Sequence, residues 1–423
     1  MKEYLKKLPK NIQDLINFIS DVAYKNNVSV YLVGGFVRDL MLGEPNLDLD
    51  VVVEGDGIMF AAELARSLKA YLVRHRRFGT ATVITPQEIK IDISTAREEY
   101  YEKPATLPCV RAGTLKDDLK RRDFTINAMA ISINERNFGE LIDFFKGRDD
   151  LRYKRIRILH DLSFIDDPTR ILRGIRFEQR YGFHIEPHTL RVLRCAVDAD
   201  MLTRVSPHRI RDDIILILKE TNPLACIARM EYLSGFAFIH PRLEIDRSVF
   251  QLLRAVRDEI VWFKNNFSRR RSLDSWLMYF VVMLDSLNAR QITALCRRFA
   301  LNKGDEKRML SFRKESSALK MKLSKPNLKP SDIFKLLEPL SYEVVLLTKA
   351  HYGNKRLNNY ISRFLKLYNG VSNLVSGKDL IRMGLTPGPR YKEILDELLY
   401  LRLDGRLRTR TQQINWIKEK IRE

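Results

Sequence analysis

The segment Leu32-Val33-Gly34-Gly35-Phe36-Val37-Arg38-Asp39, followed by Leu47-Asp48-Leu49-Asp50-Val51-Val52-Val53, decides how the first part of the chain folds. An apolar run over residues 28–33 ends at the two glycines, and the Gly-Glu-Pro-Asn sequence at 43–46 turns the chain into a second apolar run. This order predicts a strand, a glycine turn with a short helix to Leu42, and a second strand.

Both halves of this segment carry groups suited to phosphate chemistry. Adjacent glycines after a strand let the backbone approach a ligand closely and leave N–H groups for phosphate oxygens. Asp48 and Asp50 are two residues apart, so on a strand they point to the same face. Two such carboxylates repel each other unless a cation lies between them, and oxygen ligands suit Mg²⁺. Together with Gly34 and Gly35, they indicate nucleotidyl transfer.

Each half alone has a plainer interpretation. A glycine pair is most often a simple turn, and two aspartates on a strand are most often a solvated face. The combination, in this order on two successive strands, favours the metal site.

The surrounding chain predicts a small mixed sheet flanked by helices. Helical spacing of apolar residues covers 11–26 and 57–68, and extended runs cover 80–85 and 89–94. In the last run Lys90, Asp92 and Ser94 share one face, which makes Asp92 a candidate third catalytic carboxylate. A polar residue on a strand face is an equally good interpretation of Asp92.

Residues 95–113 (TAREEYYEKPATLPCVRAG) have two prolines and no hydrophobic period, which predicts a loop beside the site. Loops of this kind often act as lids. In the charged segment that follows, the guanidinium groups of Arg121 and Arg122 match phosphate oxygens. Asp123 and Asn127, four residues apart on one face of a predicted helix, suit ribose hydroxyls. An exposed helix with internal salt bridges is the alternative.

A further helix is predicted to start at the Asp-Pro pair 167–168. Asp167, Arg170, Arg173 and Arg176 then share a face at three-residue spacing. This row suits a nucleotide, with Asp and Arg at a base edge and Arg at phosphate. A solvated basic helix is the alternative.

The composition favours a polyanionic partner. The chain has 423 residues, with 74 Lys and Arg against 53 Asp and Glu, for a net charge of +21. Such an excess indicates nucleic acid or an anionic membrane surface. No apolar run is long enough for a membrane span, and neither a signal peptide nor a paired cysteine motif is evident, which predicts a cytoplasmic protein. Helical patterns dominate after residue 145, and their basic clusters suggest RNA contacts at Arg269, Arg270, Arg271, Arg406, Arg408 and Arg410.

With these motifs in order, the chain resembles the class II tRNA nucleotidyltransferase and bacterial poly(A) polymerase family, which includes the CCA-adding enzymes. The matching pieces are the glycine pair with its two aspartates, RRDFTINA at 121–128, DFFKG at 143–147 and DPTRILRGIRF at 167–177. Two positions depart from the family pattern. Asp166 replaces a Glu, and His208 stands before Arg209 where the family usually has Glu, a segment that we interpret as structural.

The resemblance implies an α+β fold with four parts. Residues 1–145 form a nucleotidyltransferase palm with a mixed sheet of about five strands, and 146–222 form a helical neck that recognises the base. Residues 223–330 form a helical body, and 331–423 form a helical tail that binds tRNA. The resemblance also implies two Mg²⁺ ions at Asp48 and Asp50, ATP and CTP as substrates, and tRNA as acceptor.

The family pattern also assigns roles within the site. Asp167 and Arg170 correspond to the pair that hydrogen-bonds the incoming base, so that C and A are selected without a template. The expected catalytic residues are Asp48, Asp50 and Asp92, and the expected nucleotide-binding residues are Gly34, Gly35, Arg38, Arg121, Arg122, Asp123, Asn127, Asp167, Arg170, Arg173 and Arg176. Complete CCA addition, A-only addition, CC-only addition and poly(A) synthesis stay open, as does a non-catalytic RNA-binding protein of the same fold.

Overall fold

The structure is a computed structural model, and it describes residues 1–45, 48–75, 79–267, 272–386 and 388–422. The chain separates into two compact units, Met1–Ile239 and His240–Glu423. The finer division into palm, neck, body and tail stays a prediction. The predicted α+β class is confirmed, because the strands lie in the first unit and the described part of the second unit is helical.

The first unit mixes helices and strands. Its strands are β1 (Ser29–Val33), β2 (Leu49–Glu54), β3 (Tyr71–His75), β4 (Thr80–Ile84), β5 (Lys90–Thr95), β6 (Arg97–Tyr100), β7 (Cys109–Ala112), β8 (Ala130–Ser132), β9 (Leu141–Ile142), β10 (Arg155–Ile156) and β11 (His184–Ile185). Its helices are α1 (Lys2–Leu5), α2 (Lys10–Lys25), α3 (Gly35–Leu42), α4 (Gly57–Leu68), α5 (Leu115–Lys120), α6 (Gly147–Arg152), α7 (Ser163–Asp166), α8 (Thr169–Tyr181), α9 (Pro187–Asp198), α10 (Pro207–Leu218) and α11 (Pro223–Ser234).

A seven-stranded sheet forms the centre of this unit, in the order β3-β4-β5-β2-β1-β8-β9. Strands β2 and β5 are parallel neighbours, and the other neighbouring pairs are antiparallel. The central strand β2 is rich in β-branched residues, and Val51, Val52 and Val53 are fully buried. The sheet therefore places the carboxylates of β2 and β5 side by side at its middle.

The sheet has two strands more than the five expected. Strand β3 lies at one edge and is largely exposed, and β9 at the other edge has only two residues. Neither leaves a clear hydrophobic period in the sequence, because an edge strand and a two-residue strand bury few side chains.

The expectation of a loop over residues 95–113 was wrong in part. Strands β6 and β7 pair antiparallel within it as a two-stranded ribbon, with Arg97 opposite Ala112 and Tyr100 opposite Cys109. The polar and proline-containing sequence hides this pairing, which depends on contacts between the two strands rather than on burial of one face. A hydrophobic cluster that includes Ala96, Leu115 and Leu119 fixes the base of this ribbon and α5 to the sheet.

The second unit, as far as it is described, consists of helices. They are α12 (Arg247–Asn266), α13 (Ser275–Met283), α14 (Ala289–Arg298), α15 (Lys303–Leu323), α16 (Pro330–Leu337), α17 (Tyr342–Tyr352), α18 (Lys355–Arg363), α19 (Gly377–Arg382), α20 (Pro389–Leu403) and α21 (Arg410–Arg422), with a π-helical turn at Phe364–Tyr368. Residues Trp276–Met283 of α13 are all buried, so this helix is the centre of the bundle. Within the described residues, none of the helices combines the length and apolar character that crossing a bilayer requires.

Gly147, at the start of α6, fixes how the segment after α5 packs. A Cβ at this position would overlap the carbonyl oxygen of Thr125 and come within 2.8 Å of the Met129 side chain. We expect Gly147→Ala to lower the free energy of unfolding of the first unit by about 1–3 kcal/mol, because a backbone carbonyl cannot move aside. Denaturant unfolding followed by circular dichroism measures this change.

Gly182→Ala is the matched control in the same unit. A Cβ there meets nothing within 4 Å, and only the left-handed φ of +63° is penalised, at about 1 kcal/mol. An effect of Gly147→Ala no larger than that of Gly182→Ala would contradict the close packing of α6.

Candidate active site

The two glycines lie where β1 ends and α3 begins. Gly34 has a left-handed φ of +67° and is the N-cap of α3, and Gly35 is the first residue of that helix. A Cβ on Gly34 would lie 2.5 Å from Nη1 of Arg122 and 3.6 Å from Oδ2 of Asp50. Glycine is therefore required here both by its backbone conformation and by the close approach of a guanidinium group.

The carboxylates expected to hold a cation lie on and beside β2. Asp50 pairs in register with Asp92 of β5, so both side chains leave the same face of neighbouring strands, and Asp48 immediately precedes β2. Burial raises the pKa of Asp50 to about 6; the nearby Arg122 opposes the shift, and the charges of Asp92 and Asp48 add to it. The site therefore disfavours a third negative charge unless a cation compensates for it.

The donor set fits a divalent cation that is shared with a phosphate ligand. Asp48 and Asp50 supply only oxygen atoms, which suits Mg²⁺. Asp92 is already engaged, since it accepts hydrogen bonds from Oγ1 of Thr82 at 2.6 Å and Nζ of Lys90 at 2.5 Å. Among the described residues, no three His, Cys, Asp or Glu side chains converge into a complete metal site. These groups allow a cation site in which Asp48 and Asp50 supply two carboxylate ligands and the substrate supplies the others.

Asp118 of α5 organises the two arginines that follow that helix. Its Oδ1 accepts hydrogen bonds from Nε and Nη2 of Arg121 at 2.9 and 2.6 Å, and its Oδ2 accepts one from Nη2 of Arg122 at 3.0 Å. Nη1 of Arg121 also donates to Glu99 of β6 at 2.9 Å. Burial would raise the pKa of Asp118, but Arg122 and Arg121 hold it below its usual range. The fully buried carboxylate thus keeps two guanidinium groups at fixed positions.

Asp123 and Asn127 lie together, though not on a helix as expected. Helix α5 ends at Lys120, and Asn127 belongs to a short 3₁₀ turn. Oδ1 of Asp123 accepts from Nδ2 of Asn127 at 2.8 Å, and Oδ2 accepts from Nε of Arg173 at 2.9 Å. Burial opposes ionisation of Asp123, but Arg173 and Asn127 lower its pKa well below the usual range. Asn127 in turn accepts a hydrogen bond from Arg38, at 2.5 Å.

Arg38 belongs to a buried ion pair. Its Nε and Nη2 both donate to the neighbouring Asp39 at 2.8 Å, and its guanidinium lies 4.9 Å from the ring centre of Tyr181. The Tyr181 hydroxyl also donates to Asp39, at 3.0 Å. Arg38 faces the site while three of its nitrogen atoms are already bonded within the protein.

Asp167 lies before α8 rather than on it, which corrects the expectation of one helical face from Asp167 to Arg176. It is in an extended conformation between α7 and α8. Oδ1 of Asp167 accepts from the backbone N and the Oγ1 of Thr169, at 3.1 and 2.7 Å, and from Nη2 of Arg209 at 2.7 Å. Arg170 is buried, and its Nη1 and Nη2 donate to Oγ of Ser163 and to a backbone carbonyl.

Some guanidinium nitrogen atoms of the site have no partner. Nε of Arg122, Nε of Arg176 and Nη1 of Arg209 are buried without a hydrogen-bond acceptor among the described residues. Burial and the charge of Arg173 lower the pKa of Arg176, which is 91% buried within the protein by area. Buried donors that lack acceptors are uncommon in folded proteins and mark places where a ligand or water completes the bonding.

These groups border one cleft of about 490 Å³ within the first unit. Seven arginines and four carboxylates line it, so the cleft is cationic and fits an anionic ligand. The lining residues are Gly34, Gly35, Arg38, Asp50, Glu99, Tyr101, Pro108, Arg121, Arg122, Asp123, Asn127, Asp167, Arg170, Arg173, Arg176, Phe177 and Arg180.

All eleven residues expected to bind nucleotide line this cleft. Asp48 and Asp92 do not border it, although both act on the pKa of Asp50. In the second unit Arg406 is exposed, Nε of Arg408 donates to the Gly405 carbonyl, and Arg410 pairs with Asp379. The expected RNA contacts Arg269, Arg270 and Arg271 lie outside the described residues.

The sequence reasoning missed several residues of the site. Asp118 stands three and four residues before Arg121 and Arg122, a helical pairing visible in the sequence. Glu99 and Tyr101 gave no signal, because only the pairing of β6 with β7 brings them to the cleft. Arg209 was interpreted as structural, and its contact with Asp167 depends on the packing of α10 against α8.

Asp213 of α10 provides a pH-dependent test of the charge balance beside the cleft. Burial raises its pKa from 3.8 to about 6, against the opposing effects of Arg173 and Arg176. Because the folded-state pKa is the higher one, the stability contributed by the protonated Asp213 carboxyl is fully present below pH 4 and is lost as the pH rises through 6. We expect Asp213→Asn to raise the free energy of unfolding by about 1–3 kcal/mol at pH 8 and to change it little at pH 4.

Urea unfolding at the two pH values measures this difference. Asp212→Asn is the control, since Asp212 is exposed and pairs with Arg211 at the surface. If both variants shift equally between pH 4 and pH 8, Asp213 does not carry the unfavourable charge.

Comparison with known proteins places this site in a family. A family model described as "Poly A polymerase head domain" matches residues 30–157, and one described as "Probable RNA and SrmB- binding site of polymerase A" matches residues 182–246. The chain is 37% identical to the A-adding tRNA nucleotidyltransferase of Geobacter sulfurreducens, over 96% of this chain and 47% of that protein. The chain thus spans about half the length of that relative.

Other relatives match along nearly their whole length. The chain is 33% identical to the A-adding tRNA nucleotidyltransferase of Halalkalibacterium halodurans, over 90% of this chain and 86% of that protein. The structure of a Thermotoga maritima CCA-adding enzyme complexed with tRNA matches with a TM-score of 0.74 and 35% identity, over 99% of this chain and 98% of that one. The resemblance seen in the motifs is confirmed, and the chain belongs to the class II tRNA nucleotidyltransferase family.

Proposed function

We propose that this protein transfers nucleotides from ATP and CTP to the 3′ end of tRNA without a nucleic-acid template. The observation that carries the proposal is the close approach of Gly34, Asp50 and Arg122 to one another in a cationic cleft. The backbone N–H groups at the start of α3 and the unpaired donor of Arg122 suit the phosphate oxygens of a triphosphate. The Asp50 carboxylate, whose charge is disfavoured by burial, suits a cation bound together with it. The relatives named above, which are tRNA nucleotidyltransferases, support the same reaction.

The triphosphate end of the cleft is where the chemistry takes place in this proposal. The N-terminus of α3 and the Arg122 guanidinium bind phosphate oxygens, and Arg176 supplies a second unpaired donor. Asp48 and Asp50 are the residues that would hold Mg²⁺. When Mg²⁺ is bound in such a site, the chemistry it supplies is activation of the attacking hydroxyl and neutralisation of charge on the leaving pyrophosphate.

The protein's own residues position the reactants. Asp118 holds Arg121 and Arg122 at the phosphates, and Asp123 holds Arg173 while Asn127 steadies Arg38. Such buried ion pairs keep the guanidinium groups from reorganising when the substrate arrives, which is the source of electrostatic preorganisation. The 3′-hydroxyl of tRNA then attacks the α-phosphate, and the bond to pyrophosphate breaks.

In this proposal the base is recognised by two other residues that line the cleft. Asp167 lies just before α8 and Arg170 in its first turn, and both line the cleft. The carboxylate accepts from an exocyclic amine and the guanidinium donates to a ring nitrogen or carbonyl, a pattern that C and A share on their amine-bearing edge. Selection of these two bases by side chains alone removes the need for a template strand.

Exclusive addition of A is the second candidate. Two relatives that match most of this chain are named as A-adding enzymes, whereas the matching Thermotoga structure is a CCA-adding enzyme. Labelled ATP and CTP, separately and together, on tRNA transcripts that lack CCA, lack CA or lack only A distinguish the two. Addition of all three nucleotides identifies a complete CCA-adding enzyme, and A on tRNA ending in CC alone identifies an A-adding enzyme. No incorporation on any transcript would overturn the proposal.

Asp50→Asn tests the catalytic carboxylate. Substituting a residue that only hydrogen-bonds to a metal ligand costs roughly 10- to 100-fold in activity. We expect nucleotide incorporation to fall by more than this in Asp50→Asn, because Asn cannot provide a charged ligand. Filter binding is expected to show unchanged affinity for tRNA. Asp14→Asn is the control, since Asp14 is an exposed residue of α2 that pairs with Lys10. Incorporation by Asp50→Asn at the level of the control would show that the metal assignment is wrong.

A further inference from the structure

We propose that Arg209 of α10 sets the base selectivity of the site by fixing the orientation of the Asp167 carboxylate. The inference rests on the proposed function, in which Asp167 reads the incoming base. Arg209 does not border the cleft, so it acts through Asp167 and is a positioning residue.

The hydrogen bonds of Asp167 fall unequally on its two oxygen atoms. Oδ1 accepts three, from the backbone N and Oγ1 of Thr169 and from Nη2 of Arg209. Oδ2 accepts none from the described residues. An aspartate carboxylate turns easily about its last torsion, so unequal bonding is what distinguishes one oxygen from the other. Oδ2 is left as the acceptor for a ligand.

Arg209 supplies the part of this restraint that comes from outside the local chain. The two bonds from Thr169 belong to the turn that starts α8, only two residues from Asp167. Arg209 stands 42 residues further along the chain and makes a charged bond of 2.7 Å in a partly buried setting, where its side chain is 19% exposed. Charge-assisted bonds of this kind are stronger than neutral ones and fix geometry.

The Arg209 guanidinium is incompletely bonded within the part of the chain that the structure describes. Nη1 is buried and has no acceptor among the described residues, while Nη2 of the same group holds Asp167. In a purely structural arginine both terminal nitrogen atoms normally have hydrogen-bond acceptors, and a buried donor without an acceptor calls for an explanation. Arg209 is therefore not a fully satisfied structural arginine, and its bond to Asp167 is what connects it to the cleft.

The test compares base selectivity in Arg209→Met, Arg209→Lys and the control Arg211→Met. Arg211 lies on the same helix and pairs with Asp212 at the surface. The measurement is kcat/KM for ATP against GTP and for CTP against UTP on the tRNA end that wild type extends. We expect Arg209→Met to lower discrimination about 10-fold, the worth of one charged hydrogen bond, and Arg209→Lys to lie between it and wild type. The control is expected to match wild type.

A double-mutant cycle with Asp167→Ala separates positioning from a general structural effect. If Arg209 acts through Asp167, Arg209→Met changes selectivity in the wild-type background and has no further effect on it when Asp167 is absent. An equal effect in both backgrounds would overturn the proposal, as would a change confined to the KM for tRNA or to the Tm. Should Arg209→Met fail to fold, unchanged selectivity in Arg209→Lys would overturn it.

Equilibrium binding keeps this inference separate from the proposed reaction. Calorimetric titration of ATP against GTP, and of CTP against UTP, measures selectivity without any chemical step. If wild type incorporates no nucleotide, the proposed function fails, but a loss of binding preference in Arg209→Met still supports the role of Arg209. If binding preference is the same in wild type and Arg209→Met, the role of Arg209 is excluded whether or not the enzyme is active.

Discussion

The central constraint on this structure is the repulsion between the seven guanidinium groups that face one cleft. So many like charges are compatible with a stable fold only if buried carboxylates compensate most of the positive charge. Asp39 pairs with Arg38, Asp118 with Arg121 and Arg122, and Asp123 with Arg173. These carboxylates are almost fully buried, so each is costly on its own and stable only with its arginine. The cleft keeps a net positive charge because the compensation is incomplete.

The same pairs join separate parts of the chain. Asp123, which follows α5, is bonded to Arg173 of α8, and Arg121 is bonded to Glu99 of the β6–β7 ribbon. The glycine turn is tied in by Asn127, which receives a bond from Arg38. Formation of the site and packing of α8 and the ribbon against the segment after α5 are therefore coupled, since each ion pair requires both of its elements in place. A change in a buried carboxylate is expected to disturb structure and substrate binding together.

Sequence patterns predicted the part of the fold that burial controls. The strand, glycine turn, helix and strand from 28 to 53 have strong apolar periods, and Asp50 and Asp92 lie in register on neighbouring strands as the alternation suggested. Features that depend on pairing rather than burial were missed, as the β6–β7 ribbon at 97–112 shows. The helix expected through Asn127 fails because α5 ends at Lys120 and Asp123 is bonded to Arg173 of α8, 50 residues further along the chain. Such long-range bonds leave no local signal.

The residues that form the site were easier to predict from the sequence than the role of each one. An arginine that binds substrate and one that is held by a carboxylate look alike in sequence. In the structure all three guanidinium nitrogen atoms of Arg38 are bonded, whereas Nε of Arg122 and Nε of Arg176 are buried without an acceptor among the described residues. The Arg122 guanidinium lies beside Gly34 and Asp50, where phosphate is expected. Arg209 binds one oxygen of Asp167 and leaves the other for a base. In the proposed reaction this combination has a physical reason, because a firmly held carboxylate would replace the partner base that a template presents.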